Sequence, residues 1–202
     1  MANPVKNPDL HGNVPDSSEA VLLLIDLIND FAFEDGDQIY AQLLPRVEAI
    51  TTLKKKAKRA RIPVVYINDN FGKWQSDFRK LLEHCLQEGV KSKALVEKLQ
   101  PEEQDYFVLK PKHSAFYSTS LDVLLDYLKA KTLIMAGITG NICVLFTAND
   151  AFMRDFNLII PCDCVASGSE EENNYALEQM RKLLKADTRP STEIDFEQFN
   201  SR

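Results

Sequence analysis

Six consecutive apolar residues, Ala20-Val-Leu-Leu-Leu-Ile25, end abruptly on Asp26. A strand with one wet face alternates apolar and polar side chains, so an unbroken run of this length predicts a strand covered on both faces. Four more short apolar runs follow: Pro63-Val-Val-Tyr-Ile67, Tyr106-Phe-Val-Leu109, Leu133-Ile-Met-Ala136 and Leu158-Ile-Ile160. Between them apolar residues recur at helical spacing. Val47, Ile50, Leu53 and Ala57 mark a helix from near Pro45, a residue tolerated in a first turn. Phe78, Leu81, Leu82, Cys85 and Leu86 mark another, and Ala94, Leu95 and Leu99 a shorter one. Helices are also expected over Leu121–Ala130, from about Asn141 onward, and over about Glu172–Lys185. Strands alternating with helices predict an α/β fold of three layers, a mainly parallel β-sheet flanked by helices, with right-handed crossovers.

Bulk properties set the limits. With 202 residues the chain suits a single domain over 20–202, preceded by a polar arm over 1–19 that carries three prolines. A net charge of −6 gives no reason to expect nucleic acid as a partner. Ala20–Ile25 is far too short to span a bilayer, and the arm lacks the apolar core of a signal peptide. Four cysteines without paired spacing point to reduced thiols in a cytoplasmic protein. Cys162 and Cys164 read as packing residues on one side of an extended segment. The run Lys54-Lys55-Lys56, Lys58, Arg59 and Arg61 reads as a solvated face whose charge suits a helix C-terminus, ahead of an anion site.

The chemistry concentrates where strands end. Asp26 closes the first strand, at the carboxyl edge where open α/β sheets bind ligands; the competing reading is a turn or helix cap. Lys110 closes the third, and Pro111 keeps it out of helical conformation. In Gly137-Ile-Thr-Gly-Asn-Ile-Cys143, a break follows the fourth strand and Cys143 falls in the first turn of a helix, with Asn141 expected as its N-cap. Helix dipole and free amide groups there favour a thiolate, the layout of a nucleophile. A small buried packing residue fits that position equally well. The loop Asn68-Asp-Asn-Phe-Gly-Lys-Trp74 reads either as a pocket wall or as a structural hinge.

Taken together, Leu24-Ile-Asp26 with Asn29-Asp-Phe31, Lys110-Pro-Lys-His-Ser-Ala-Phe116 with Thr119 and Leu121, Gly137-Ile-Thr-Gly-Asn-Ile-Cys143-Val and Asp163-Cys-Val-Ala-Ser167 resemble the isochorismatase-like cysteine hydrolase superfamily. That superfamily includes nicotinamidases and N-carbamoylsarcosine amidohydrolases. The resemblance covers nearly all of the chain beyond the arm. It implies a triad of Asp26, Lys110 and Cys143, an oxyanion hole of backbone amides at Thr139 and Cys143, and a non-proline cis peptide at Ile138–Thr139. It also implies a small-molecule substrate and assembly as a homo-oligomer.

Two departures refine this. Many members carry Thr-Asp or a similar pair where this chain has Gly140-Asn141. Nicotinamidases hold a metal on an Asp-x-His motif after the second strand, whereas the matching loop here reads Asn68-Asp69-Asn70-Phe71. With only His11, His84 and His113 in the chain, no metal and no cofactor is expected. Cys143 favours C–N hydrolysis of an amide, carbamoyl compound or lactam through a thioester. The alternatives are a vinyl ether hydrolase of the isochorismate type without a covalent step, and a thiol or ligand-binding protein on the same scaffold. The expected strand order is 3-2-1-4-5, which sets Asp26 and Cys143 across one crevice but requires Lys110 to reach inward from an outer strand. Phe31, Asn68, Trp74 and Phe116 are the expected substrate-binding residues, and aromatic walls with few charges favour a compact, neutral substrate.

Overall fold

The structure, a computed structural model, describes residues 17–72, 74 and 77–199. The expected arm therefore lies outside the described residues except at its end. There the Ser18 amide donates to Leu128 O, and Glu19 O accepts from the amides of Lys131 and Thr132.

β1 (Ala20–Ile25) is fully buried along its length. Its even-numbered residues pack into one core and its odd-numbered residues into another, so every side chain is covered and no polar residue is needed. Each fully buried Leu or Ile contributes about 1.5–3 kcal/mol. On the first face lie α1 (Gly36–Leu43), α2 (Val47–Arg59), α3 (Phe78–Cys85) and α4 (Lys93–Leu99). The other face carries α5 (Leu121–Leu128), α6 (Leu145–Phe152) and α7 (Glu170–Leu183). The remaining strands are β2 (Val64–Asp69), β3 (Tyr106–Lys110), β4 (Thr132–Ile138), β5 (Asn157–Ile159) and β6 (Val165–Ala166).

The sheet runs β3-β2-β1-β4-β5, with β6 paired beyond β5's reach along β4, and all of these pairings are parallel. The expected order stands. No described helix is long and apolar enough to cross a membrane.

Four local expectations are corrected. The helix expected from Pro45 is preceded by α1, and Pro45 sits in a 3₁₀ turn, Leu44–Arg46, joining the two. Cys162–Cys164 forms a 3₁₀ turn rather than an extended segment. Lys54, placed on a solvated face, is only 5% exposed: its ammonium lies 3.1 Å from Asp105 Oδ2 and donates to Gln100 O at 2.9 Å. Asn141 is not the N-cap. The helix opens with a wide π turn, Gly140–Val144, and Thr139 precedes it.

Candidate active site

Strand register assembles the site. Ile25 pairs with Gly137, so Asp26 emerges beside Ile138 and Thr139; Asp69 pairs with Lys110 one strand further out. Gly137 is required where it stands. At φ 135°, an added Cβ would lie 2.0 Å from Ile25 O, so any side chain would push β4 off β1. Asp26 turns out of β1 in left-handed conformation, φ 53°, which aspartate tolerates better than most residues. The Ile138–Thr139 peptide is cis.

Lys110 overcomes its outer position by length. Strands lie ~4.8 Å apart, and the buried lysine stem crosses the end of β2 to bring Nζ within 2.9 Å of Asp26 Oδ2 and 3.5 Å of Cys143 Sγ. Asp26 Oδ1 accepts the Asp69 amide at 3.0 Å, and the Asp26 carboxyl is near enough to the Cys143 thiol to act on its ionisation. Asp26, Lys110 and Cys143 thus meet at one point, and all three line one cleft of about 940 Å³.

The electrostatics differ from a ready-made thiolate. Burial, reinforced by the Asp26 carboxylate, pushes the Cys143 thiol up to about 12 against the pull of Lys110. Burial likewise raises Asp26 above the usual carboxylate range, although Lys110 opposes it. Burial pulls Lys110 down, but Asp26, Cys143 and Asp69 together outweigh it and hold the ammonium above its ordinary value. The helix start favours a thiolate, but burial of the sulfur outweighs it. The sulfur is held as a thiol beside a carboxylate of raised proton affinity, with the Lys110 ammonium 3.5 Å away.

Gly140 and Asn141 fit a specific brace. The Asn141 amide donates to Ser167 Oγ at 3.2 Å, Ser167 donates to Asn173 Oδ1 at 3.1 Å, and Asn173 Nδ2 donates to Val165 O at 3.0 Å. A Cβ on Gly140 would come within 2.6 Å of Asn173 Oδ1 and 2.9 Å of Ser167 Oγ. This brace fixes the turn that carries Cys143.

None of the four expected substrate-binding residues lines the cleft. Phe31 is buried edge-on against Tyr40, with ring centroids 5.2 Å apart. Asn68 is buried and donates to Ile28 O at 2.8 Å, bracing the loop after β1. Phe116 closes the other core beneath the Arg154 guanidinium, 4.7 Å from its ring. Trp74 is 73% exposed. Instead Phe33, Phe71, Leu81 and Ile142 form the apolar wall. Phe33 and Phe71 each lie near a residue that was expected, and Ile142 adjoins Cys143. Phe31 and Phe71 both adopt positive φ, which has no mark in the sequence.

Nor is the cleft sparsely charged. Asp30, Glu34, Asp35, Asp69 and Asp77 join Asp26 around it, against Lys80, Lys110, His84 and His113. His84 Nε2 lies 2.8 Å from Asp30 Oδ2. The residues present do not fit the metal of nicotinamidases. Asp69 faces Lys110 and the Phe71 amide, and among the described residues no group of three or more His, Cys, Asp or Glu side chains converges to hold an ion.

The isochorismatase domain model matches residues 20–189, the whole span that builds this cleft. The chain belongs to the isochorismatase family. An uncharacterised isochorismatase family protein of Bacillus subtilis, YaaI, is 43% identical over 177 residues, covering 88% of this chain and 97% of that protein. The isochorismatase of the same organism is 34% identical over 171 residues, covering 82% of this chain and 54% of its own length. Among solved structures, the N-carbamoylsarcosine amidase of Thermoplasma acidophilum superposes with a TM-score of 0.69 at 23% identity, covering 88% of this chain and 99% of that one. That structural likeness speaks for the shared isochorismatase-family fold.

Proposed function

We propose that this isochorismatase-family hydrolase cleaves the C–N bond of a small amide, carbamoyl compound or lactam through a thioester on Cys143. The observation that carries the reading is the position of Lys110 Nζ, 2.9 Å from Asp26 and 3.5 Å from Cys143 Sγ, on the wall of one cleft. The Asp26 carboxylate takes the Cys143 proton as sulfur attacks the carbonyl carbon. Lys110 offsets the negative charge that the sulfur gains before the bond forms. The carbonyl oxygen becomes an oxyanion, directed at the backbone amides of Thr139 and Cys143 beside the cis peptide. As the C–N bond breaks, Asp26 returns the proton to the leaving nitrogen, which departs as ammonia or an amine. Water, deprotonated by Asp26, then attacks the thioester and releases the acid, and the proton goes back to sulfur.

The isochorismate-type reading is favoured by the 34% identity to an isochorismatase. The cleft opposes it. Isochorismate is a dicarboxylate, and among the described residues six carboxyl side chains line the cleft against two lysines, one of which, Lys110, Asp26 already pairs. A panel of small amides, ureas and lactams read by ammonia or amine release, with isochorismate alongside, tests the proposal. Release from at least one C–N substrate is expected. Turnover of isochorismate with none of the panel cleaved would reverse the reading.

A further inference from the structure

The Asp69 side chain has no part in the triad as described. Its position gives it one. Paired with Lys110 in the β2–β3 register, it offers its amide to Asp26 Oδ1 at 3.0 Å and its carboxylate Oδ2 to Lys110 Nζ at 3.7 Å. The next amide, that of Asn70, donates to Lys110 O at 2.9 Å. One strand end thus holds the backbone of the lysine, its ammonium and the carboxyl group that the ammonium serves. Asp69 Oδ1 accepts the Phe71 amide, which fixes the carboxylate's orientation on the cleft wall.

We propose that Asp69 is a positioning residue of the triad, holding Lys110 between Asp26 and Cys143 and strengthening Asp26 as the proton acceptor. The inference rests on the triad reading above. Its physical content is a second negative charge beside Lys110. A carboxylate there makes the neutral, protonated form of Asp26 easier to reach, so Asp26 accepts the thiol proton more readily. The same charge also supports the protonated state of Lys110, whose cation then meets the thiolate. Because the Asp69 side chain is 38% exposed, solvent moderates the effect without removing it. The other charged groups around the triad are Asp30, Glu34 and Asp35 from the loop after β1, Asp77, Lys80 and His84 at α3, and His113 after β3. None of them has a hydrogen bond or ion pair to Lys110 or Asp26 among the described contacts.

The test needs no substrate. Iodoacetamide alkylates Cys143 when its proton passes to Asp26 and the sulfur displaces iodide, forming an S–CH₂ bond. The rate is followed against pH by mass spectrometry of the Cys143 peptide. Asp69→Asn keeps the backbone amide that holds Asp26 and removes only the charge. Its acid limb is expected at lower pH than the wild type's by about half a pH unit or more. Asp69→Glu, which keeps the charge, is expected to keep the limb in place, as is Glu171→Gln, which removes an exposed carboxylate of α7 outside the cleft. An Asp69→Asn limb that coincides with the wild type's, or moves to higher pH, overturns the proposal. So does an Asp69→Glu limb displaced like that of Asp69→Asn, which also keeps the test open should the asparagine variant fail to fold. Asp26→Asn separates the two levels: a wild-type profile in that variant would defeat the triad reading itself.

Discussion

The chemistry proposed for this site turns on one side chain, Lys110. An ammonium removed from water costs several kcal/mol unless paired, and here Asp26, Asp69 and the Cys143 sulfur share it. Replacing it with methionine removes the cation that, among the described residues, pairs with both Asp26 and Cys143 and favours their ionised forms. Lys110→Met is therefore expected to slow iodoacetamide alkylation of Cys143 about tenfold or more at neutral pH; an unchanged rate would show that the cation does not act on the sulfur. Asp26 supplies a pH prediction of definite sign. Its carboxyl is raised by burial, and only the ionised form accepts a proton. Activity should be complete above that raised value and fall as pH drops through it, so the acid limb of kcat/KM should lie above the range of an exposed aspartate. A limb at or below the ordinary value near 3.9 would contradict this.

At the scale of elements, the strands of a parallel sheet were legible in the sequence, because an unbroken apolar run has few solutions other than a covered parallel strand, whereas the meeting of Asp26, Lys110 and Cys143 was expected through the family resemblance. Lys54 was not legible. Its partner Asp105 lies far along the chain at the start of β3, and nothing local distinguishes Lys54 from the solvated lysines around it. Asp105 is held between Lys54 and Lys58 with almost no side-chain exposure. Asp105→Ala is expected to cost about 3–5 kcal/mol in urea unfolding, since it leaves the Lys54 ammonium buried without its main partner. A loss below 1 kcal/mol would mean that Glu102 and Gln100 suffice. The β1–β4 junction makes a second demand. Gly137→Ala should destabilise by several kcal/mol or prevent folding, because the new methyl group would collide with Ile25 O at a backbone angle that L-residues avoid. A variant as stable as the wild type would show that β4 can shift without losing its register.

For the whole molecule, the fold brings Asp26 from β1, Lys110 from β3 and Cys143 from the turn after β4 to one cleft at the carboxyl edge of the sheet. The triad was expected through the resemblance to the isochorismatase-like superfamily; strand-end position by itself leaves a cap role for Asp26 and a packing role for Cys143 open. The cleft wall was not legible, because the left-handed conformations of Phe31 and Phe71 have no mark in the sequence, and Phe33, stacked on Phe31, takes the place at the cleft. The direct test of the account is the turnover of Cys143→Ala on whichever amide, urea or lactam the wild type cleaves, measured as released ammonia or amine. Without the sulfur no acyl-enzyme forms, so kcat should fall by roughly a thousandfold or more while substrate still binds. Turnover within a few-fold of the wild type's would contradict covalent catalysis by Cys143 and leave Asp26 and Lys110 acting on the substrate without it.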